Sequence, residues 1–166
     1  MKGLQLLPYK RKIKGKTNYR KRLILLKSRK VRLVVRRALN NILLQVVQYL
    51  PDGDKIIVSV HSSSLKKFGW DLHRGNIPAA YLSGLLCGKL AKEKKIDDAV
   101  VDIGLYKSVR GSVQYAAVKG VIDSGLMISC SEKMFSDPKK INGEGMDKNI
   151  AKKFEEVKNK IIGGKK

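Results

Sequence analysis

The sequence predicts an α/β fold: a mixed β-sheet with helices packed on it, preceded by a basic N-terminal arm and followed by a C-terminal helix. Two observations support this. Three β-branched segments are followed by a helical segment, a fourth strand and a second helical segment, which indicates a β-β-β-α-β-α order. The chain has 166 residues, of which 43% are hydrophobic, which suits about one folded domain. We divide it into an arm (1–28), an α/β domain (29–128) and a C-terminal loop and helix (129–166).

Three strands are predicted first, at residues 31–37, 42–49 and 55–61. Each is rich in Val, Ile and Leu and is bounded by turn-forming residues. The link at 38–41 is short enough for an antiparallel hairpin, and Pro51, Asp52, Gly53 and Asp54 favour a turn before the third strand. A fourth strand, at 99–103, is almost continuously apolar, which predicts burial on both faces.

Helical periodicity begins at Asn76, which suits an N-cap, and continues to residues 94–95. Gly84, Cys87, Gly88 and Ala91 form a face with little bulk on this helix, which predicts close approach by a neighbouring backbone. Ser112 is the predicted cap of a second long helix, and Gly125 is its predicted C-cap.

The C-terminal part is predicted to begin with a loop at residues 129–149. A narrow apolar stripe then predicts a final helix that ends at Gly163 and Gly164. The stripe consists of Ile150, Phe154, Val157 and Ile161.

Positive charge is concentrated at the N-terminus. The net charge is +22, and residues 1–37 contain 15 Lys and Arg but no Asp or Glu. Tyrosines and a glycine interleave the cations from Tyr9 to Arg22. Lys and Arg suit phosphates, and Tyr can stack on an unpaired base, so the arm is predicted to contact RNA or DNA. If six to ten of these cations contact phosphates of a duplex, the logarithm of the binding constant should fall with the logarithm of the salt concentration with a slope of about −0.9 per contact.

Some assignments stay open at this point. A basic run is also typical of a solvated tail or a nuclear-localisation patch. Residues 23–28 fit either a short helical turn or an apolar anchor, and the three serines at 62–64 fit either a helix cap or a phosphate-facing loop.

Catalytic and metal-binding chemistry find little support in the sequence. His61 and His73 lack metal-ligand spacing, and Cys87 and Cys130 lie far apart without flanking ligands, so no cofactor and a reduced intracellular protein are expected. Asp102 is expected to be a hydrogen-bonded residue at a strand end rather than part of a two-metal site. No apolar run is long enough for a membrane span or a signal peptide.

Several motifs, in order, resemble one family: the universal large-subunit ribosomal protein eighteen in its archaeal and eukaryotic form. The resemblance covers residues 8 to about 152. The matching segments are YKRK (9–12), GKTNYRKRL (15–23), RLVVR (32–36), HSS (61–63), FGW (68–70), GNIPAAYLSGLL (75–86), VDIGL (101–105) and KGVIDSGL (119–126).

The resemblance implies an α/β/α fold of the translational-machinery-component type. It also implies a non-catalytic, cytoplasmic protein of the large ribosomal subunit that binds 5S ribosomal RNA in the central protuberance. Large-subunit ribosomal RNA and neighbouring proteins, ribosomal protein five among them, are the other implied partners. The implied RNA-contacting residues are Lys10, Arg11, Lys12, Lys14, Lys16, Thr17, Tyr19, Arg20, Lys21, Arg22, Arg32, Arg36, Arg37, Arg74, Asn76, Lys107 and Arg110.

Two departures from the family pattern are visible. Ser129, Cys130 and Ser131 stand where the family tends to have a proline and a histidine, and the chain stops at Lys166, which favours an archaeal-like, minimal version. Two rival functions remain: a basic RNA or DNA chaperone or chromatin protein without sequence preference, and a metal-dependent nuclease that uses Asp102.

Overall fold

A five-stranded mixed sheet forms the centre of the molecule in the computed structural model, which describes residues 7–144 and 148–163. The sheet order is β3-β2-β1-β4-β5. β1 pairs antiparallel with β2, and β2 with β3, whereas β1 and β5 both run parallel to β4. The strands are β1 (Arg32–Arg37), β2 (Ile42–Gln48), β3 (Lys55–His61), β4 (Asp98–Asp102) and β5 (Met127–Ile128).

The predicted α/β class and the β-β-β-α-β-α order are confirmed, with β5 added as a short edge strand. Short 3₁₀ helices lie at Ser62–Phe68 and Glu132–Met134. The α-helices are α1 (Lys10–Ile13), α2 (Tyr19–Lys27), α3 (Ile77–Glu93), α4 (Val113–Asp123), α5 (Pro138–Asn142) and α6 (Lys148–Gly163).

Both long helices begin where the sequence predicts. The Asn76 side chain accepts a hydrogen bond of 3.0 Å from the backbone N–H of Ala79 and so caps α3. Ser112 occupies the N-cap position of α4, but its side chain makes no capping hydrogen bond, so that part of the prediction is wrong. Gly125 follows the end of α4 with φ +95°, a left-handed conformation that favours glycine.

The small-residue face of α3 allows α4 to approach closely. A Cβ atom at Gly84 would lie 2.1 Å from the carbonyl oxygen of Ala117, and one at Gly120 would lie 2.1 Å from the carbonyl oxygen of Tyr81. Real Cβ atoms do not come this close to a carbonyl oxygen, so the two helices can cross at this distance only because both positions are glycine. The predicted close approach is therefore confirmed, and its partner is α4.

α3 lies between two hydrophobic clusters. Ala80, Cys87 and Ala91 face the main core, which α3 shares with the sheet and α4. Its other side joins a second cluster, in which Phe154, Val157 and Ile161 of α6 surround buried Trp70 and Tyr81. The predicted stripe therefore packs α6 on the body. Burial all round explains why α3 is apolar on nearly every side.

Two predictions about the C-terminal half need correction. The region 129–149 is not simply a loop: it contains a 3₁₀ turn and α5, while residues 145–147 lie outside the described part of the chain. β4 is not buried on both faces, since Val100 and Val101 are only half-buried. Helices α3 and α4 cover one face of the sheet, and the other face is lined only in part by the arm.

Among residues 7–144 and 148–163, no helix combines the length and apolar character that a membrane crossing requires.

Candidate nucleic-acid interface

Between residues 7 and 28, the basic arm is folded into two short helices rather than an extended tail. Gly15, at φ +61°, reverses the chain after α1, and the Asn18 side chain caps α2 by accepting a hydrogen bond from the N–H of Lys21. The Arg11 Nε donates to the Thr17 Oγ1 across this turn at 2.9 Å. The ring of Tyr9 also packs on that of Tyr19, with 4.9 Å between centroids.

Most of the arm's cations are available to a ligand. The segment 23–28 fitted either a helical turn or an apolar anchor; residues 23–27 form the last part of α2, Ser28 is its C-cap, and Leu23 and Ile24 are exposed. Thr17, Tyr19 and Arg22 are half-buried. The predicted arm cations with exposed side chains are Lys10, Arg11, Lys12, Lys14, Lys16, Arg20 and Lys21.

A chain of ion pairs connects the arm to the sheet. Arg22 on α2 donates two hydrogen bonds to Asp54, at 2.9 Å and 2.8 Å, in the bidentate arrangement that suits a guanidinium and a carboxylate. The Arg32 Nη2 donates to the same carboxylate at 2.7 Å. Asp54 follows the turn after β2, and because β2 runs antiparallel to β1, this turn lies beside the start of β1.

The chain of ion pairs continues across the sheet to β4. The Arg32 Nη1 donates to Asp102 at 3.2 Å, and the Arg36 Nη2 donates to the other oxygen of that carboxylate at 3.1 Å. The backbone N–H of Gly104 donates to Asp102 as well, at 2.8 Å. The expectation that Asp102 is a hydrogen-bonded residue at a strand end is confirmed.

Arg32 was predicted to contact RNA, but the structure does not expose its cation to solvent. Its side chain is 2% exposed, and its guanidinium binds Asp54 and Asp102. Every second residue of β1 points to one face of the sheet, so Arg32 and Arg36 share a face. Arg32 lies in the interior of that face because Asp54 and Asp102 flank it, whereas Arg36 is half-buried and Arg37 is exposed.

The anchoring carboxylate is held in its ionised form. The hydrogen bond from Arg22 lowers the pKa of Asp54 below its ordinary value, and the hydrogen bond and positive charge of Arg32 act in the same direction, against the effect of burial. The same contact with Asp54 raises the pKa of Arg22. The arm and the sheet therefore meet as permanent opposite charges at neutral pH.

A cleft of about 940 Å³ separates the arm from the open face of the sheet. The arm contributes Arg11, Lys16 and Tyr19 to its wall, and the sheet contributes Gln45 and Arg36. Cations, an amide and an aromatic ring are the groups that bind phosphates and unpaired bases. This arrangement is chemically suited to a polyanionic ligand with exposed bases.

The remaining predicted contacts lie at the other end of β1, away from α2. Arg37 and Tyr106 are joined there by a hydrogen bond from the tyrosine hydroxyl to the Arg37 carbonyl. Lys107 and Arg110 are exposed in the loop after β4, whereas Arg74 and Asn76 are half-buried before α3. The structure thus brings the arm together with β1, whereas these residues, of which Arg37, Arg74, Lys107 and Arg110 are cationic, lie away from α2.

Sequence reasoning missed Asp54, which it treated only as a turn residue. One signal was present: Asp52 and Asp54 are the first carboxylates of the chain, after 51 residues without an acid. The predicted hairpin also places their turn beside the start of β1. An acid brought next to an acid-free basic segment is a natural partner for one of its cations.

The serine segment and the histidines have local structural partners. Ser62 is buried and accepts a hydrogen bond from the N–H of Ile42, and His61 caps the 3₁₀ helix by accepting from the N–H of Ser63. Residues 62–64 are the first residues of this 3₁₀ helix and its N-cap is His61, so the alternative in which one of these serines caps a helix is wrong. The described part of the chain brings together no group of three His, Cys, Asp or Glu that could hold a metal ion.

The fold and this surface together define an α/β protein whose strongly cationic arm is anchored on a sheet, an arrangement typical of nucleic-acid-binding proteins. A family model described as ribosomal large subunit proteins 60S L5 and 50S L18 matches residues 5–100. The chain belongs to this family of ribosomal proteins, which is not a class of enzymes, and its place is the large subunit of the cytoplasmic ribosome. The matched residues include the arm from residue 5 onward, β1 to β3 and α3.

Proposed function

We propose that this protein binds 5S ribosomal RNA and helps attach it to the large ribosomal RNA, as a non-catalytic constituent of the central protuberance. Ribosomal protein five is the proposed protein neighbour. Family membership supports a role in the large subunit, and the basic arm supports direct contact with RNA.

The observation that carries this proposal is the defined shape of the arm. A tail used only for charge neutralisation needs no fixed geometry, since phosphate contacts by themselves carry no sequence information. Here a turn at Gly15 joins α1 to α2, and α2 is capped by Asn18 and anchored to Asp54 through Arg22. A cationic surface of defined shape suits an RNA of defined shape, which proteins recognise through backbone, 2′-hydroxyl and unpaired-base contacts.

Competition between two RNAs tests the proposal. At moderate salt, 5S ribosomal RNA is expected to displace transfer RNA from the protein at well below equimolar concentration, because only the former matches the arm and body together. Fluorescence anisotropy with labelled transfer RNA measures the displacement. Equal affinity for the two RNAs would refute the proposal and favour a non-specific basic chaperone or chromatin protein.

Two matched variants separate charge from shape in the same assay. Deletion of residues 1–28 is expected to remove most of the affinity and to reduce the salt slope, while a variant with the arm residues in scrambled order keeps the charge but loses the preference for 5S ribosomal RNA. Trp70, the one tryptophan of the chain, is fully buried, so its emission reports whether the body remains folded.

A further inference from the structure

Few contacts hold the arm helix α2 in place on the body. None of its residues is fully buried, and Leu23 and Ile24 are 59% and 61% exposed. Apolar burial therefore stabilises its position only weakly. Among the described residues, α2 makes polar side-chain contact with the body through the pair of hydrogen bonds from Arg22 to Asp54.

Asp54 is itself a rigid acceptor. Its carboxylate receives a third hydrogen bond from Arg32, whose side chain is buried and held on its other side by Asp102. Because Arg32 already restrains the Asp54 carboxylate, that carboxylate loses little freedom when Arg22 binds, and the bidentate pair forms at a low entropic cost. The position of α2 is thereby tied to β1 and β4.

We propose that Asp54 is a positioning residue for RNA recognition: through Arg22 it holds α2 against the sheet, so that the arm's cations meet the RNA in one orientation. This inference rests on the proposed function. Asp54 itself need not touch RNA, and its negative charge opposes RNA binding. Pre-organisation of a binding surface increases affinity by reducing the entropy lost on association.

The sign of the effect distinguishes this role from simple electrostatics. Removing a surface carboxylate from a polyanion-binding protein is expected to strengthen binding, because one repulsive charge disappears. If Asp54 positions the arm, its neutralisation weakens binding to the specific RNA instead. Asp52 provides a matched control, since it lies in the same turn, is exposed and pairs with none of the described residues.

The experiment compares Asp54→Asn and Asp52→Asn for binding to 5S ribosomal RNA and to transfer RNA. Asp54→Asn is expected to bind 5S ribosomal RNA about three- to tenfold more weakly than the wild type, the cost of losing a charge-assisted hydrogen-bonded pair, with no loss for transfer RNA. Asp52→Asn is expected to bind both RNAs as tightly as the wild type or slightly more tightly.

Two outcomes of this comparison would overturn the positioning role. In one, Asp54→Asn binds 5S ribosomal RNA as well as Asp52→Asn does. In the other, it loses affinity for both RNAs equally, which is the behaviour of a destabilised protein. If the wild type shows no preference for 5S ribosomal RNA, the proposed function itself fails, and that result is separate from either variant.

Amide hydrogen exchange of the free protein tests the anchor without RNA. Arg22→Gln leaves the Arg32–Asp54 contact in place and removes only the link to the arm. We expect faster exchange in α2 for both Arg22→Gln and Asp54→Asn, with the amides of β1 still protected in Arg22→Gln. Unchanged exchange in α2 of Arg22→Gln would show that another contact holds the arm, and would refute the proposal.

Discussion

Single glycines decide how closely the two main helices pack. Gly84 and Gly120 lie where α3 and α4 cross, and each faces a carbonyl oxygen of the other helix rather than a flexible side chain. Backbone atoms cannot move aside without shifting a whole helix. These two positions therefore control the α3–α4 distance and, through it, the fit of both helices against the sheet.

Gly120→Ala is expected to lower the free energy of unfolding by about 2–3 kcal/mol, because the added methyl group overlaps the Tyr81 carbonyl oxygen. Urea unfolding followed by circular dichroism measures the change. Gly163→Ala is the control, since no atom lies within 4 Å of a Cβ built there. A loss below about 0.5 kcal/mol for Gly120→Ala would show that the helices separate easily.

The Arg22–Asp54 contact depends on pH in a defined direction. The pKa of Asp54 is lower in the folded protein than in the unfolded chain, so the unfolded state takes up a proton first as pH falls. The stabilisation is fully present above the unfolded pKa of about 4 and is lost as pH falls through the folded value.

The difference in free energy of unfolding between the wild type and Asp54→Asn is therefore expected to be constant from about pH 5 to 7 and to shrink steadily below about pH 4. Chemical denaturation at a series of pH values measures it. The effects of the other carboxylates largely cancel in the difference. A difference that grows on acidification would contradict the assigned direction of the pKa shift.

At the scale of elements, α6 is part of the body because its apolar stripe completes a second core. Phe154 is 1% exposed and packs against Tyr81 with 5.6 Å between ring centroids. Lys89 of α3 also donates to the carbonyl oxygen of Ile161 at 2.8 Å, near the C-terminal end of α6. Cations suit this end of a helix, where carbonyl groups lack partners.

Phe154→Ala is expected to cost about 3–5 kcal/mol, since it removes a large buried ring from the cluster around Trp70. Because Trp70 belongs to the same cluster, the emission of the variant should shift to longer wavelength either already in native buffer or at a lower urea concentration than in the wild type. Glu155→Ala changes the exposed neighbouring position and should alter stability by less than about 0.5 kcal/mol. Equal stability of the two variants would mean that α6 is not held by its stripe.

At the scale of the whole molecule, charge and fold divide along the chain. The first 37 residues contain 15 of the 36 Lys and Arg and none of the 14 acids, while the body supplies Asp54 and Asp102 to bind three of those arginines. Asp54 thus attaches the arm to the body through Arg22, while Asp102 binds Arg32 and Arg36 within the sheet. The remaining arm cations stay exposed, which keeps most of the local positive charge available to RNA.

Patterns that depend on neighbours in sequence were predictable. The strands and the helix capped by Asn76 follow from β-branched runs, helical periodicity and capping residues, and the small face of α3 correctly indicated a close backbone contact. Two-residue β5 was not predictable, because it is too short to carry a period and forms only where β4 offers an edge. The prediction that β4 is buried on both faces was wrong, because the apolar composition of a strand does not show whether helices pack on one face of its sheet or on both.

The sequence by itself determined the α/β class, the concentrated positive charge and the resemblance to a ribosomal family, since these depend on composition and short-range pattern. Only the tertiary structure decided which arginines face solvent. Arg32 and Arg36 look alike in the sequence, yet one is buried between two carboxylates and the other is half-buried at the cleft. Strand pairing brings Asp54 and Asp102 to Arg32 from 22 and 70 residues away, and no local pattern encodes such distant contacts.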